Sequence, residues 1–154
     1  LRLMKDLEFG DKRKWAGIVS LEPPCNIFHE PRNFITPILV LKGGESHYEP
    51  KPCKTMIDLY ASAGADASLK IFPKSNHFFS HNGKIVKGVA FNGCGDNPVI
   101  IGINNSLKFL DGSQANRKIV RKKCFTKTAG SGKSREDLKL AINASIEFFK
   151  LKLN

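Results

Sequence analysis

Long hydrophobic runs are missing from this 154-residue chain: nowhere do about 18 apolar residues follow one another, so no segment reads as a membrane-crossing helix. The first residues, LRLMKDLEFGDKRKW, carry charges where a signal peptide needs an apolar centre, so no targeting segment is expected there. Because the chain opens on Leu1 rather than Met, a processed or excerpted product is expected. Internal repeats and low-complexity linkers are lacking too. Acidic residues are scarce, 14 against 25 Lys and Arg, and the net charge of +11 permits attraction to anionic partners. Lys outnumbers Arg, however, and is scattered from Lys5 to Lys152, whereas readers of bases and phosphates use Arg forks and clustered aromatics. This distribution argues against a nucleic-acid role. The four cysteines lack the short spacings of a zinc site, so a metal site is not expected from them.

What remains is the composition of an ordinary globular protein, 41% hydrophobic and 25% charged, in a chain long enough for one domain with a real core. AGIVSL (16–21) is a branched apolar run stopped by Glu22, Pro23 and Pro24, and it reads as a buried strand. PILVLK (37–42) and SLKIFP (68–73) read as two more. Between these two, PKPCKTMIDLYASAGA places Cys53, Met56, Ile57, Tyr60 and Ala61 on one helical stripe, with Pro52 in the first turn and Gly64 at the stop. Strand, helix and strand of these lengths predict a βαβ crossover and parallel pairing, hence an α/β fold. SREDLKLAINASIEFFKLKL predicts a C-terminal helix with Ser134 as N-cap and Leu138, Ile142, Ile146 and Phe149 on one face. Residues 1–9 read as the tail of another helix. Residues 81–133 form a less regular, insertion-like segment, in which KIVKGVAF and PVIIGI look like strands and DGS (111–113) like a turn.

The even cysteine count permits two bridges, Cys25–Cys53 and Cys94–Cys124; four buried free thiols fit equally well. With bridges the compartment is oxidising, extracytoplasmic or periplasmic; without them it is cytoplasmic. TAGSGKS resembles the end of a phosphate-binding loop, but Lys127 stands where the first glycine belongs, so a helix-entry loop is the reading. The glycosylation-like triplets at Asn104 and Asn143 are read as chance.

Chemistry concentrates in two loops. His77, in FPKSNHFFSH, follows the third strand, with Ser75 and Asn76 before it and Phe78 and Phe79 after it. That setting gives a partly desolvated imidazole suited to general-base work. Parallel strands present their carboxyl ends together, so the GGESHYEP loop after the second strand lies at the same sheet edge. An acid loop and a base loop one crossover apart are two parts of a nucleophile–base–acid triad.

PILVLKGGESHYEPKPC followed by YASAGADASLKIFPKSNHFF resembles the C-terminal half of the dienelactone hydrolase family of α/β-hydrolases, and IVSLEPPC is similar to that family's preceding strand and turn. The resemblance covers about residues 14–80 and, more loosely, the final helix. It implies a partial α/β-hydrolase domain, hydrolysis of a small ester or lactone with no metal or organic cofactor, and His77 as general base. The family's acid position falls on Ser46, which holds no charge; Glu45 is adjacent and becomes the candidate acid, with Glu49 a poorer one. The family's G-x-S-x-G or G-x-C-x-G elbow occurs nowhere in the chain, so the resemblance implies a nucleophile upstream and a chain that is inactive alone. It also implies an unpaired sheet edge, predicting self-association or docking on an N-terminal half. The alternative is a non-catalytic binding protein on a degenerate hydrolase scaffold, its basic surface facing an acidic partner.

Overall fold

A computed structural model describes residues 15–82, 84–133 and 135–153. The order of elements is β1 (Ile18–Leu21), β2 (Ile27–His29), β3 (Ile38–Gly43), α1 (Lys51–Ser62), β4 (Ala67–Phe72), β5 (His77–Asn82), β6 (Val86–Ala90) and a 3₁₀ turn (Asn92–Cys94). Then follow β7 (Val99–Ile101), β8 (Leu107–Phe109), α2 (Arg117–Cys124), β9 (Thr126–Lys133) and α3 (Arg135–Leu153). The fold is mixed α/β. Strands β1, β3 and β4 form a parallel sheet with β3 central, and α1 makes the crossover between β3 and β4.

The sequence explains this sheet closely. Strand β3 is apolar apart from its last two residues and buried along its whole length, as a central parallel strand covered on both faces must be. One face meets Cys53, Met56, Ile57 and Tyr60 of α1. The other meets Ala141, Ala144 and Phe148 of α3 through Leu39 and Leu41. Burying each such aliphatic side chain contributes about 1.5–3 kcal/mol. Pro52 enters the first turn of α1, and Gly64, at φ +89°, ends it. Ala61, expected on the buried stripe, is exposed: the stripe closes at Tyr60.

Two further three-stranded sheets flank this one. In β2-β7-β8, β2 runs parallel and β8 antiparallel to β7; in β5-β9-β6, β5 runs parallel and β6 antiparallel to β9. Several expectations change here. TAGSGKS, read as a helix-entry loop, belongs through its described residues 128–133 to strand β9, because β5 and β6 supply partners on both its edges. His77, placed in a loop, opens β5 and pairs with Ser131 of β9. Strands β2 and β8 and helix α2 had no expectation at all. DGS lies at a turn, with Gly112 at φ +84°.

Helix α3 is present, but its buried face is Ala141, Ala144 and Phe148. Ile142 and Ile146 are about half exposed, at 50% and 47%, whereas Phe149 of the predicted stripe packs, partly buried, against that core. Small alanines let the helix sit close on Leu39 and Leu41, and that close approach selects the face. The expected N-cap Ser134 and the expected helix at residues 1–9 lie outside the described residues.

Both bridges, Cys25–Cys53 and Cys94–Cys124, are formed, with Cα atoms 4.8 and 4.7 Å apart. The first ties the turn after β1 to the start of α1, the second the 3₁₀ turn to the end of α2. Among the described residues no helix is long and apolar enough to cross a membrane.

Candidate active site

The carboxyl ends of β1, β3 and β4 converge on a polar cluster that water barely reaches. Register explains its core. Leu21 pairs with Leu41, so the next residues, Glu22 and Lys42, stand side by side on neighbouring strands. Their side chains are 1% and 0% exposed and meet at 2.7 Å. The second oxygen of Glu22 accepts the Gly43 N–H, and the Lys42 ammonium also donates to Ser46 Oγ at 3.4 Å. Glu22 sits at φ +50°, in the left-handed region, where the chain leaves β1 for Pro23. A non-glycine residue tolerates that conformation when its surroundings fix it, and three contacts fix this side chain.

The third contact is His77, whose Nδ1 lies 3.4 Å from Glu22 Oε2. Burial alone would raise the Glu22 pKa; the bond to His77 and the charge of Lys42, with the hydrogen bonds from Lys42 and Gly43, more than offset it and hold the carboxyl below its usual range. Burial disfavours the Lys42 ammonium and draws its pKa down, opposed by the Glu22 charge. A carboxylate on Nδ1 orients the imidazole and leaves Nε2 as the basic nitrogen. The His77 side chain is 18% exposed, open enough to meet a substrate.

The GGESHYEP loop packs beside this cluster. Ser46 accepts from the Tyr48 N–H at 3.2 Å and from Lys42, and it is buried: its hydroxyl pins the loop to the ion pair. Glu45 is exposed, its N–H bound to the Ser75 carbonyl. It is therefore Glu22, and not the expected Glu45, whose carboxylate meets His77. Glu49 is also exposed, its N–H held by Asn92 Oδ1.

No family model, curated protein or solved structure matches the chain.

His47, which sequence reasoning passed over, is buried with its ring 4.6 Å from the rings of both Tyr48 and His77. Burial, then the neighbouring His77 and Lys42, push its pKa below 6.5, while the Gly130 backbone and Glu22 pull it up. Two glycines admit it. A side chain at Gly88 would strike the His47 ring, and one at Gly130, itself at φ +116°, would strike the backbone of Glu45–His47. The Asn92 amide donates to the His47 carbonyl at 2.8 Å and fixes the loop from the far side. Among the described residues no group of three or more His, Cys, Asp or Glu side chains is placed to hold a metal ion.

A signal for Glu22 and Lys42 was available. IVSLE and ILVLK are two apolar runs that each end in a charge, of opposite sign. A charge at the end of a buried strand calls for a partner, and the parallel strand beside it offers one at the same height.

Proposed function

We propose that this chain carries the base and acid of a dienelactone-hydrolase-like ester or lactone hydrolase, with Glu22 serving as the acid. The observation that carries the reading is the Glu22–His77 pair at the carboxyl edge of a parallel sheet, where open α/β sheets assemble their sites. In this scheme His77 Nε2 takes the proton of a nucleophile supplied from outside the described residues as that nucleophile attacks the ester carbonyl. Glu22 stabilises the imidazolium, which then protonates the departing alkoxide. Lys42 keeps Glu22 ionised and placed. The chain alone is silent in hydrolysis. The edge of β1 that has no partner strand among the described residues, together with the apolar outer face of α3, is where the half bearing the nucleophile docks. Two disulfides fit an oxidising, extracytoplasmic compartment.

A second reading, a binding protein on the same scaffold, draws on one observation: Glu22 is already engaged by Lys42 and Gly43, as a purely structural carboxylate would be. Labelling of the natural gene product with a fluorophosphonate probe separates the two. The hydrolase predicts labelling that His77→Ala abolishes, Glu22→Gln reduces by orders of magnitude and Glu45→Gln leaves intact. A folded protein that stays unlabelled sinks the hydrolase and leaves the binder.

A further inference from the structure

From Gly112 to Ser134 the sequence contains seven Lys and Arg and no Asp or Glu, so this stretch carries well over half of the chain's net charge. Helix α2 concentrates it. Arg117 and Arg121 stand one helical turn apart, as do Lys118 and Lys122, and all four are exposed. On a helical wheel these two i, i+4 ridges are adjacent and form one wholly cationic face. The face beside the arginine ridge, Val120 and Cys124, packs against Cys94, Val99 and Phe109.

This arrangement works against the helix itself. Like charges one turn apart repel, and Arg117 and Lys118 occupy a first turn that lacks any acidic residue, where the helix dipole disfavours cations. None of the ion pairs among the described residues uses an α2 cation. The helix is nevertheless secured at both ends, by Asn116 accepting the Ile119 N–H at 2.9 Å and by the Cys94–Cys124 bridge. A rigid platform that holds four mutually repelling cations, without an ion pair among the described residues, in two parallel rows is built for an external anion with repeating charges.

We infer that the cationic face of α2 binds an acidic polysaccharide, a chain bearing sulfate or carboxylate groups at regular intervals. The disulfides favour a partner met in an oxidising compartment. The cationic face carries no aliphatic side chain to enter a bilayer and no aromatic on which a base could stack. This inference is independent of the hydrolase reading.

The test is the affinity of the disulfide-intact chain for size-defined oligosaccharides, one set sulfated and one bearing only uronate carboxylates. Duplex DNA and vesicles containing anionic lipid serve as competitors. Changing Arg117, Lys118, Arg121 and Lys122 to Glu is expected to weaken oligosaccharide binding about tenfold or more at physiological salt. Changing Lys70, Lys74, Lys87 and Lys139 to Glu, an equal charge change at exposed sites elsewhere, is expected to weaken it far less. The arm that binds more tightly identifies sulfate or carboxylate as the group recognised. Equal losses in the two variants would mean that bulk charge alone is responsible and would overturn the inference, as would tighter binding to DNA or to vesicles. If the quadruple variant does not fold, the pairs Arg117→Gln with Arg121→Gln and Lys118→Gln with Lys122→Gln give the same reading one ridge at a time.

Discussion

The end of β1 and the outer face of α3 treat water in opposite ways. At the first, a carboxylate and an ammonium are sealed away together. At the second, Leu21, Ile142, Ile146, Phe149 and Leu153 line an open groove of about 400 Å³. The two regions are one residue apart in sequence, since Leu21 borders the groove and Glu22 belongs to the cluster. Burial of charge is tolerable because strand register delivers the partner within the same sheet. The exposed groove has no such delivery, for β1 is the last strand of its sheet among the described residues. Proximity to the core therefore does not decide what is buried; the presence of a fixed partner does.

Breaking the ion pair should have the largest effect. Lys42→Met strands Glu22 in a dry site and should cost about 3–5 kcal/mol in urea unfolding, while adding Glu22→Leu in the same molecule should recover most of it. A small loss in the single variant would mean that water reaches the pair. Replacing Cys25 and Cys53 together by alanine should cost about 3–4 kcal/mol, as expected for a loop closed across a sequence separation of 28. On the other side of the comparison, Ile142→Ser and Ile146→Ser should each change stability by less than about 0.5 kcal/mol, because their side chains gain little from folding. Losses of 2 kcal/mol or more would show that the groove is filled in solution.

The smallest effect is the dependence on pH. His47 in the folded chain titrates below 6.5, the value it regains on unfolding. Between those two points the unfolded chain holds a proton that the folded chain lacks, so stability falls as pH drops through 6.5. Glu22 acts lower: its contribution is complete above 4.5 and is lost as pH falls through its depressed folded value. The urea midpoint should therefore decline in two stages on acidification, and His47→Gln should remove only the upper one.

Sequence made the first half of the fold legible, because β1, β3, α1 and β4 are apolar runs closed by Pro or Gly. Helix α2 and strand β9 were not legible. RKIVRKK offers only Ile119 and Val120 as apolar periodicity, and TKTAGSGK owes its strand to two partners distant in sequence. In α3 the period was right and the face right only at Phe149, since a run with apolar residues on nearly every side leaves the choice to packing. At the candidate site, His77 was singled out from its place after a strand, though the structure makes it the first residue of the next strand rather than part of a loop. Glu22 was missed because a carboxylate partner for His77 was sought in the glycine loop, which follows the neighbouring strand.

The bridges have a topological consequence. One closes residues 25–53 and the other residues 94–124, and the two loops neither overlap nor interlock. A protease cut inside either loop leaves the pieces joined and passes unseen on a non-reducing gel. A cut between 54 and 93, the stretch that carries β4 and His77, frees two separate molecules. His77 is thus borne by the one central part of the chain that no covalent clasp encloses, and only packing and strand pairing keep it beside Glu22.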